Sequence, residues 1–148
     1  MSRLSSFTGK NFENYSDGGA NLAKRISFTD NLNVIFVPAT APVSAYIVND
    51  FPVYSGFDRK VITFTLIKNQ PTIGASLPTI FTINAVGGAS RTFTHASDIL
   101  WLDGNPPVAQ TGVTQIINYI LVNTASASPD GSSLTQYTVY GNLNGPYS

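Results

Sequence analysis

The sequence predicts an all-β domain, an antiparallel β-sandwich of jelly-roll or Greek-key type preceded by an extended N-terminal arm. Three observations predict it. Short apolar runs rich in Val, Ile, Phe and Thr follow one another from Ile26 onward, separated by Gly, Pro, Asn and Asp. Several of those runs alternate with the two-residue period of a half-buried strand. No stretch carries the 3.6-residue period of a helix, and Val113–Val122, long enough for one, is β-branched and aromatic.

Residues 1 to 25 are polar and aperiodic, with isolated aromatics at Phe7, Phe12 and Tyr15 and a turn-like Asp17-Gly18-Gly19. Lone aromatics in a polar stretch suit a docking arm, while the plainer reading is a loosely ordered terminus. The expected domain organisation is therefore an arm over 1–25 and a sandwich over 26–148.

Within the sandwich, Ile26–Phe28 and Leu32–Val37 read as strands joined by a hairpin turn at Thr29-Asp30-Asn31. Pro38 and Pro42 interrupt, because proline is excluded from central strand positions. Ala45–Val48 and Lys60–Ile67 follow, and in the latter Ile62, Phe64 and Leu66 share the core face while Thr63 and Thr65 share the other. Thr79–Ile83 alternates, and Gly87-Gly88 turns the chain into Ser90–Phe93. Ile99–Leu102 contains the only tryptophan, and Asn105-Pro106-Pro107 breaks it off rigidly. Ile116–Val122 is a strong strand in which Tyr119 fits the same two-faced scheme, Ser128–Gly131 is a turn, and Gln136–Tyr140 closes the domain. No internal repeat of fixed spacing stands out, so neither a propeller nor a solenoid is expected.

Composition narrows the function. The 148 residues suffice for one domain with a real core. Only 11% of them are charged and the formal net charge is zero, well below the roughly 25% of an average soluble domain. A surface this poor in charge repels its neighbours weakly, which suits a homo-oligomer or shell component. It lacks the concentrated cationic face that nucleic acid needs. No run approaches the ~20 apolar residues that cross a bilayer, and no secretory signal is visible at the N-terminus. The chain has no cysteine, so disulfides, thiolate metal sites and cysteine nucleophiles are all excluded.

Candidates for chemistry are thin. His95 is the only histidine, so any Ser-His-Asp triad would have to use it, yet no Gly-x-Ser-x-Gly elbow exists. It reads as a surface histidine in a loop. Glu13 is the only glutamate, and Asp50, Asp58, Asp98, Asp103 and Asp130 mostly sit beside turn residues, so the paired carboxylates of glycoside cleavage are not evident. Asp30-Asn31-Leu32-Asn33 and Asn49-Asp50 lack the ligand spacing of a calcium loop, and Gly87-Gly88 lacks the rest of a phosphate loop. No enzyme activity, metal or cofactor is expected. Trp101 with Asp103 and Asn105 in the rigid loop could form a sugar-stacking platform, or the indole could simply cover one end of the core. Tyr137, Tyr140 and Tyr147 could form an interface, since tyrosine gives contact area at low entropy cost.

The succession of a threonine-rich strand (Val61–Ile67), a Trp-x-x-Gly-x-x-Pro-like segment (Trp101–Pro107), an Asp-Gly turn (Asp130-Gly131) and a terminal aromatic strand (Gln136–Tyr140) resembles β-sandwich modules of bacteriophage tail fibres and other virion appendages, notably of marine and cyanobacterial phages. The resemblance covers about residues 26 to 143. It implies a non-catalytic virion protein, a homotrimer by preference, that contacts other virion proteins through its arm. Tail or fibre association and capsid decoration are the two placements it leaves. The alternative expectation is a module that binds a host surface glycan or receptor through the loop around Trp101.

Overall fold

The computed structural model describes residues 12–14, 23–28, 33–38, 42–52, 61–124 and 134–148, with side chains for all but the first of these segments and Thr135. They form ten strands: β1 (Phe12–Asn14), β2 (Ala23–Ser27), β3 (Val34–Val37), β4 (Ala45–Phe51), β5 (Val61–Asn69), β6 (Ile80–Ala85), β7 (Ser90–Thr94), β8 (Ile99–Trp101), β9 (Thr114–Asn123) and β10 (Tyr137–Tyr147). One short 3-10 turn, Leu134–Gln136, leads into β10. Sheet A has six strands in the order β1-β3-β5-β9-β10-β8, and sheet B has four in the order β2-β4-β6-β7.

The all-β expectation holds, but the sheets are mixed rather than antiparallel. From β1 to β6 each successive strand crosses to the opposite sheet. In-sheet neighbours are thus two strands apart in sequence, and β1-β3, β3-β5, β2-β4 and β4-β6 all pair in parallel. Only β6-β7, β5-β9 and β9-β10 are antiparallel. The reason the residues did not announce this is physical: side-chain alternation reports which face is buried and is blind to the direction of the neighbouring strand. The same crossing corrects the hairpin expected at Thr29–Asn31. Its two flanking strands, β2 and β3, belong to different sheets.

The stretch set apart as an arm contains β1 and the first three residues of β2. β1 pairs with β3, and β2 carries Lys24 and Ile26 into the interior, so a boundary between 25 and 26 cuts through a strand of sheet B. Phe7 and Tyr15 lie outside the described residues, as do Asp58, Asp130 and the Ser128–Gly131 turn, and Phe12 is described only as main chain.

The sheets pack through aromatic side chains contributed by both. Tyr119 of β9 stacks on Phe81 of β6 with centroids 4.5 Å apart, and Tyr46 of β4 stacks on Tyr119 at 5.6 Å. Phe64 leans on Phe81 at 5.5 Å, and Phe51 meets Tyr137 edge-on at 5.8 Å. Pairs of this kind add about 0.5–1.5 kcal/mol each beyond the area they bury. Alternation in β5 is as expected, with Ile62, Phe64 and Leu66 inside and Thr63 and Thr65 outside. Arg91 of β7 ties sheet B to sheet A: its Nη1 donates to the carbonyls of Leu134 at 2.7 Å and Tyr137 at 2.9 Å, and its guanidinium lies 4.3 Å over Phe93.

One end of the interior is polar. Lys68 is 1% exposed, and its Nζ donates to the carbonyls of Asn69 at 2.9 Å and Pro38 at 3.2 Å. Burial, with Lys24 nearby as a second cause, brings its amine down to about 8.

Candidate functional site

At the polar end two loops close the sandwich, and two buried glutamines hold them there. Gln70, just past β5, donates through Nε2 to Oε1 of Gln115 on β9 at 2.9 Å. That same oxygen accepts the N–H of Gln110 at 2.8 Å, and Gln115 Nε2 donates to the carbonyl of Val108 at 2.9 Å. Gln70 Oε1 accepts the N–H of Ser76 at 3.2 Å, whose hydroxyl accepts the N–H of Val43 at 3.2 Å. Every amide group of the glutamine pair is engaged, which a buried polar network requires if it is to stabilise rather than destabilise. The result is a fixed position for the loop from Leu102 to Val113.

Between that loop and β10 lies a groove of about 400 Å³. Trp101, Leu102, Asp103, Asn105, Pro106, Pro107, Val108 and Gln110 form its walls, and Gly141, Leu143 and Gly145 of β10 form its floor. The loop residues expected to act together are therefore brought together. Trp101 is half-buried and anchored: its indole N–H donates to the carbonyl of His95 at 2.7 Å, and its ring meets those of His95 and Tyr119 edge-on. The six-membered ring lies directly on Gly141, where any β-carbon would overlap it. Asp103 and Asn105 form a local turn in which Asn105 N–H donates to Asp103 Oδ1 at 3.2 Å and Asn105 Nδ2 to the Asp103 carbonyl at 3.4 Å.

The tyrosines separate. Tyr137 is 2% exposed and belongs to the core, so it offers no contact surface, whereas Tyr140 is 41% and Tyr147 55% exposed.

His95 is not a surface histidine, although it does sit in the turn after β7. It is 4% exposed, its Nε2 lies 3.0 Å from the Tyr119 hydroxyl, and burial pulls its pKa down to about 4. Alternation from Phe93 carries it inward, a signal that the loop context obscured. Asp98 closes the same turn through Oδ2, which accepts the N–H of Thr94 at 2.7 Å, and that bond holds its carboxyl below the usual value. Asp50 sits with a φ of 57° at the bulge where the pairing of β4 with β6 shifts. Among the described residues no three His, Cys, Asp or Glu side chains group as a metal site.

Sequence reasoning missed the groove floor and the glutamine pair. Gly141-Asn142-Leu143-Asn144-Gly145-Pro146 has turn composition, yet it continues β10, because β9 supplies a complete antiparallel partner as far as Asn144. Nothing local marks Gln70 and Gln115, which meet only in the fold.

A second feature is a face rather than a cleft. The residues of sheet A that point away from sheet B are Val, Ile, Phe, Leu, Tyr, Thr and Asn on β3, β5, β8, β9 and β10, with no charged side chain among the described residues. Val61, Tyr140 and Leu100 are 58%, 41% and 56% exposed there, flanking half-buried Ile116, Ile120 and Val122.

Searches against protein-family models, curated proteins and solved structures found no match to this chain.

Proposed function

We propose that this protein is a non-catalytic structural component of a multi-subunit assembly, acting through contacts with further copies and with neighbouring proteins. The observation that carries the reading is the uncharged outer face of sheet A. The five strands with described side chains, about 4.8 Å apart and rising about 3.3 Å per residue, present on the order of 600 Å². That approaches the roughly 800 Å² each partner contributes to a standard stable interface. Such a face meets a neighbouring copy with no like-charge repulsion, and Val61, Leu100 and Tyr140 stand exposed on it among threonine and asparagine side chains.

The placement we propose is a bacteriophage virion, as a tail- or fibre-associated or capsid-decoration protein, with a trimer as the expected assembly. Its support is the resemblance of the threonine-rich strand, the Trp101–Pro107 segment and the terminal aromatic strand to virion appendage modules, together with the low charge. A non-catalytic role is supported by the state of the titratable groups. Asp98 and Asp103 are engaged in turn hydrogen bonds, and His95 is enclosed with Tyr119. Glycan stacking on Trp101 has less support, because its N–H is already donated and one ring face is against Gly141.

Light scattering on the full chain tests the reading. A stable oligomer that Ile120→Lys converts to a folded monomer is the expected result. A wild-type monomer at micromolar concentration would overturn it.

A further inference from the structure

The groove contains an unfinished strand edge. β8 covers only Val139, Tyr140 and Gly141 of the eleven-residue β10. The carbonyl of Gly141 accepts the N–H of Leu102 at 3.1 Å, so the main chain of this residue aims away from β9 and toward β8. Main-chain groups alternate sides along a strand, so the N–H and C=O of Leu143 aim the same way, into the groove, after β8 has ended. No hydrogen bond reaches them on that side among the described residues. Opposite, Asp103 Oδ1 accepts the main-chain N–H of Asn105 and Asn105 Nδ2 donates to the Asp103 carbonyl. What the groove offers is therefore main-chain pairing at Leu143, between Gly141, which the Trp101 ring covers, and Gly145, which lies against Thr114 and Tyr147. Its one ionisable lining residue is Asp103, which is exposed.

A suitable donor segment exists in the same sequence. Residues 1–11, outside the described part, contain Arg3 and Lys10, no acidic residue, and small hydroxyl residues at Ser2, Ser5, Ser6 and Thr8. Fully extended, they reach up to about 36 Å beyond β1. β1 and β8 stand at opposite edges of sheet A. A segment leaving from one edge and an acceptor groove at the other make a head-to-tail contact between copies, the kind that closes into rings.

We propose that residues 1–11 of one copy add as an extended strand to the β10 edge of a second copy, beneath the 102–110 loop. The proposal deepens the subunit-contact reading and rests on it. Main-chain pairing supplies the affinity, and Asp103 selects a cationic strand.

The absence of native cysteine allows a direct test on the full chain. Ser5→Cys and Val108→Cys variants are mixed, one isotopically labelled so that the mixed dimer is recognised by mass, and oxidised. A mixed disulfide dimer is expected, at several times the yield of Ser5→Cys mixed with Val86→Cys, whose site lies on the exposed β6–β7 turn. Adding Asp103→Lys to the acceptor should cut the yield at least threefold, and Leu143→Pro, which removes the edge N–H, should abolish it. If Leu143→Pro fails to fold, Asp103→Lys still decides. Yield no higher than the Val86 control, or insensitive to Asp103→Lys, overturns the proposal. So does a Ser5→Cys/Val108→Cys double variant that closes internally as a monomer. An oligomeric wild type without the cross-link overturns strand donation and leaves the subunit-contact reading standing, whereas a monomeric wild type overturns both.

Discussion

The hydroxyl of Tyr119 and Nε2 of His95 meet at 3.0 Å inside the sandwich, joining the middle of β9 to the turn that follows β7. Both groups are held in their neutral forms. Burial lowers the imidazole to about 4 and raises the phenol well above its ordinary value. The contact links the two sheets at the level of Trp101, whose indole N–H is donated to the carbonyl of the same histidine.

That pair makes stability depend on pH. The folded-state pKa of His95 lies below its unfolded value of 6.5, so the unfolded chain binds the extra proton more readily. Stability is full above about 6.5 and falls as the pH drops toward 4, by about 3 kcal/mol in all. Urea unfolding at pH 7 and pH 4 should show this loss, and His95→Gln should remove most of the difference. An unchanged pH profile in the variant would mean that another group carries it.

Gly141 is predicted to be the least replaceable residue of the groove floor. Gly141→Ala sets a methyl group into the ring of Trp101, and the displacement should cost about 1–3 kcal/mol. Because Trp101 is the only tryptophan, its fluorescence reports the movement directly. Trp101→Leu in the same background should recover part of the loss, a non-additivity that a double-mutant cycle would measure.

Gln115→Leu removes the hub of the loop network. It strands the amide of Gln70, the N–H of Gln110 and the carbonyl of Val108, and should destabilise the chain by about 2–4 kcal/mol. Gln70→Leu together with Gln115→Leu should cost less than the sum of the two single changes, since one variant then removes both partners of their bond. Hydrogen exchange should show faster opening confined to the 102–113 loop.

Ile120→Lys is the corresponding test on the outer face of sheet A. The residue is half-buried on that face, so a lysine there can reach solvent with its stem along the sheet, and folding should be nearly unaffected. In the proposed assembly its charge falls within the subunit contact. Sedimentation should show dissociation, and the thermal midpoint should become independent of protein concentration.

Legibility along the chain followed the range of the interactions involved. The core face of β5 was readable because alternation of Ile62, Phe64 and Leu66 with Thr63 and Thr65 is local and strong, whereas β9 was readable as a strand but carries apolar residues on both faces. The grouping of Trp101, Asp103 and Asn105 was readable because they are adjacent and rigidly joined by Pro106 and Pro107. β1 was not, since three residues with no period form a strand only because β3 stands beside them. The burial of His95 was hidden by the turn residues around it.

By itself, then, the sequence determined that this chain is built of strands, which side of the strongest alternating strand is buried, and that it carries little charge. Those are properties of neighbouring residues and of composition, and they are settled within a few peptide units. Only the tertiary structure decided that successive strands alternate between sheets, that β1 and β8 end on opposite edges, and that β8 leaves part of β10 uncovered. These depend on which distant segments share a hydrogen-bond ladder, and the period of a strand is the same whichever neighbour it finds.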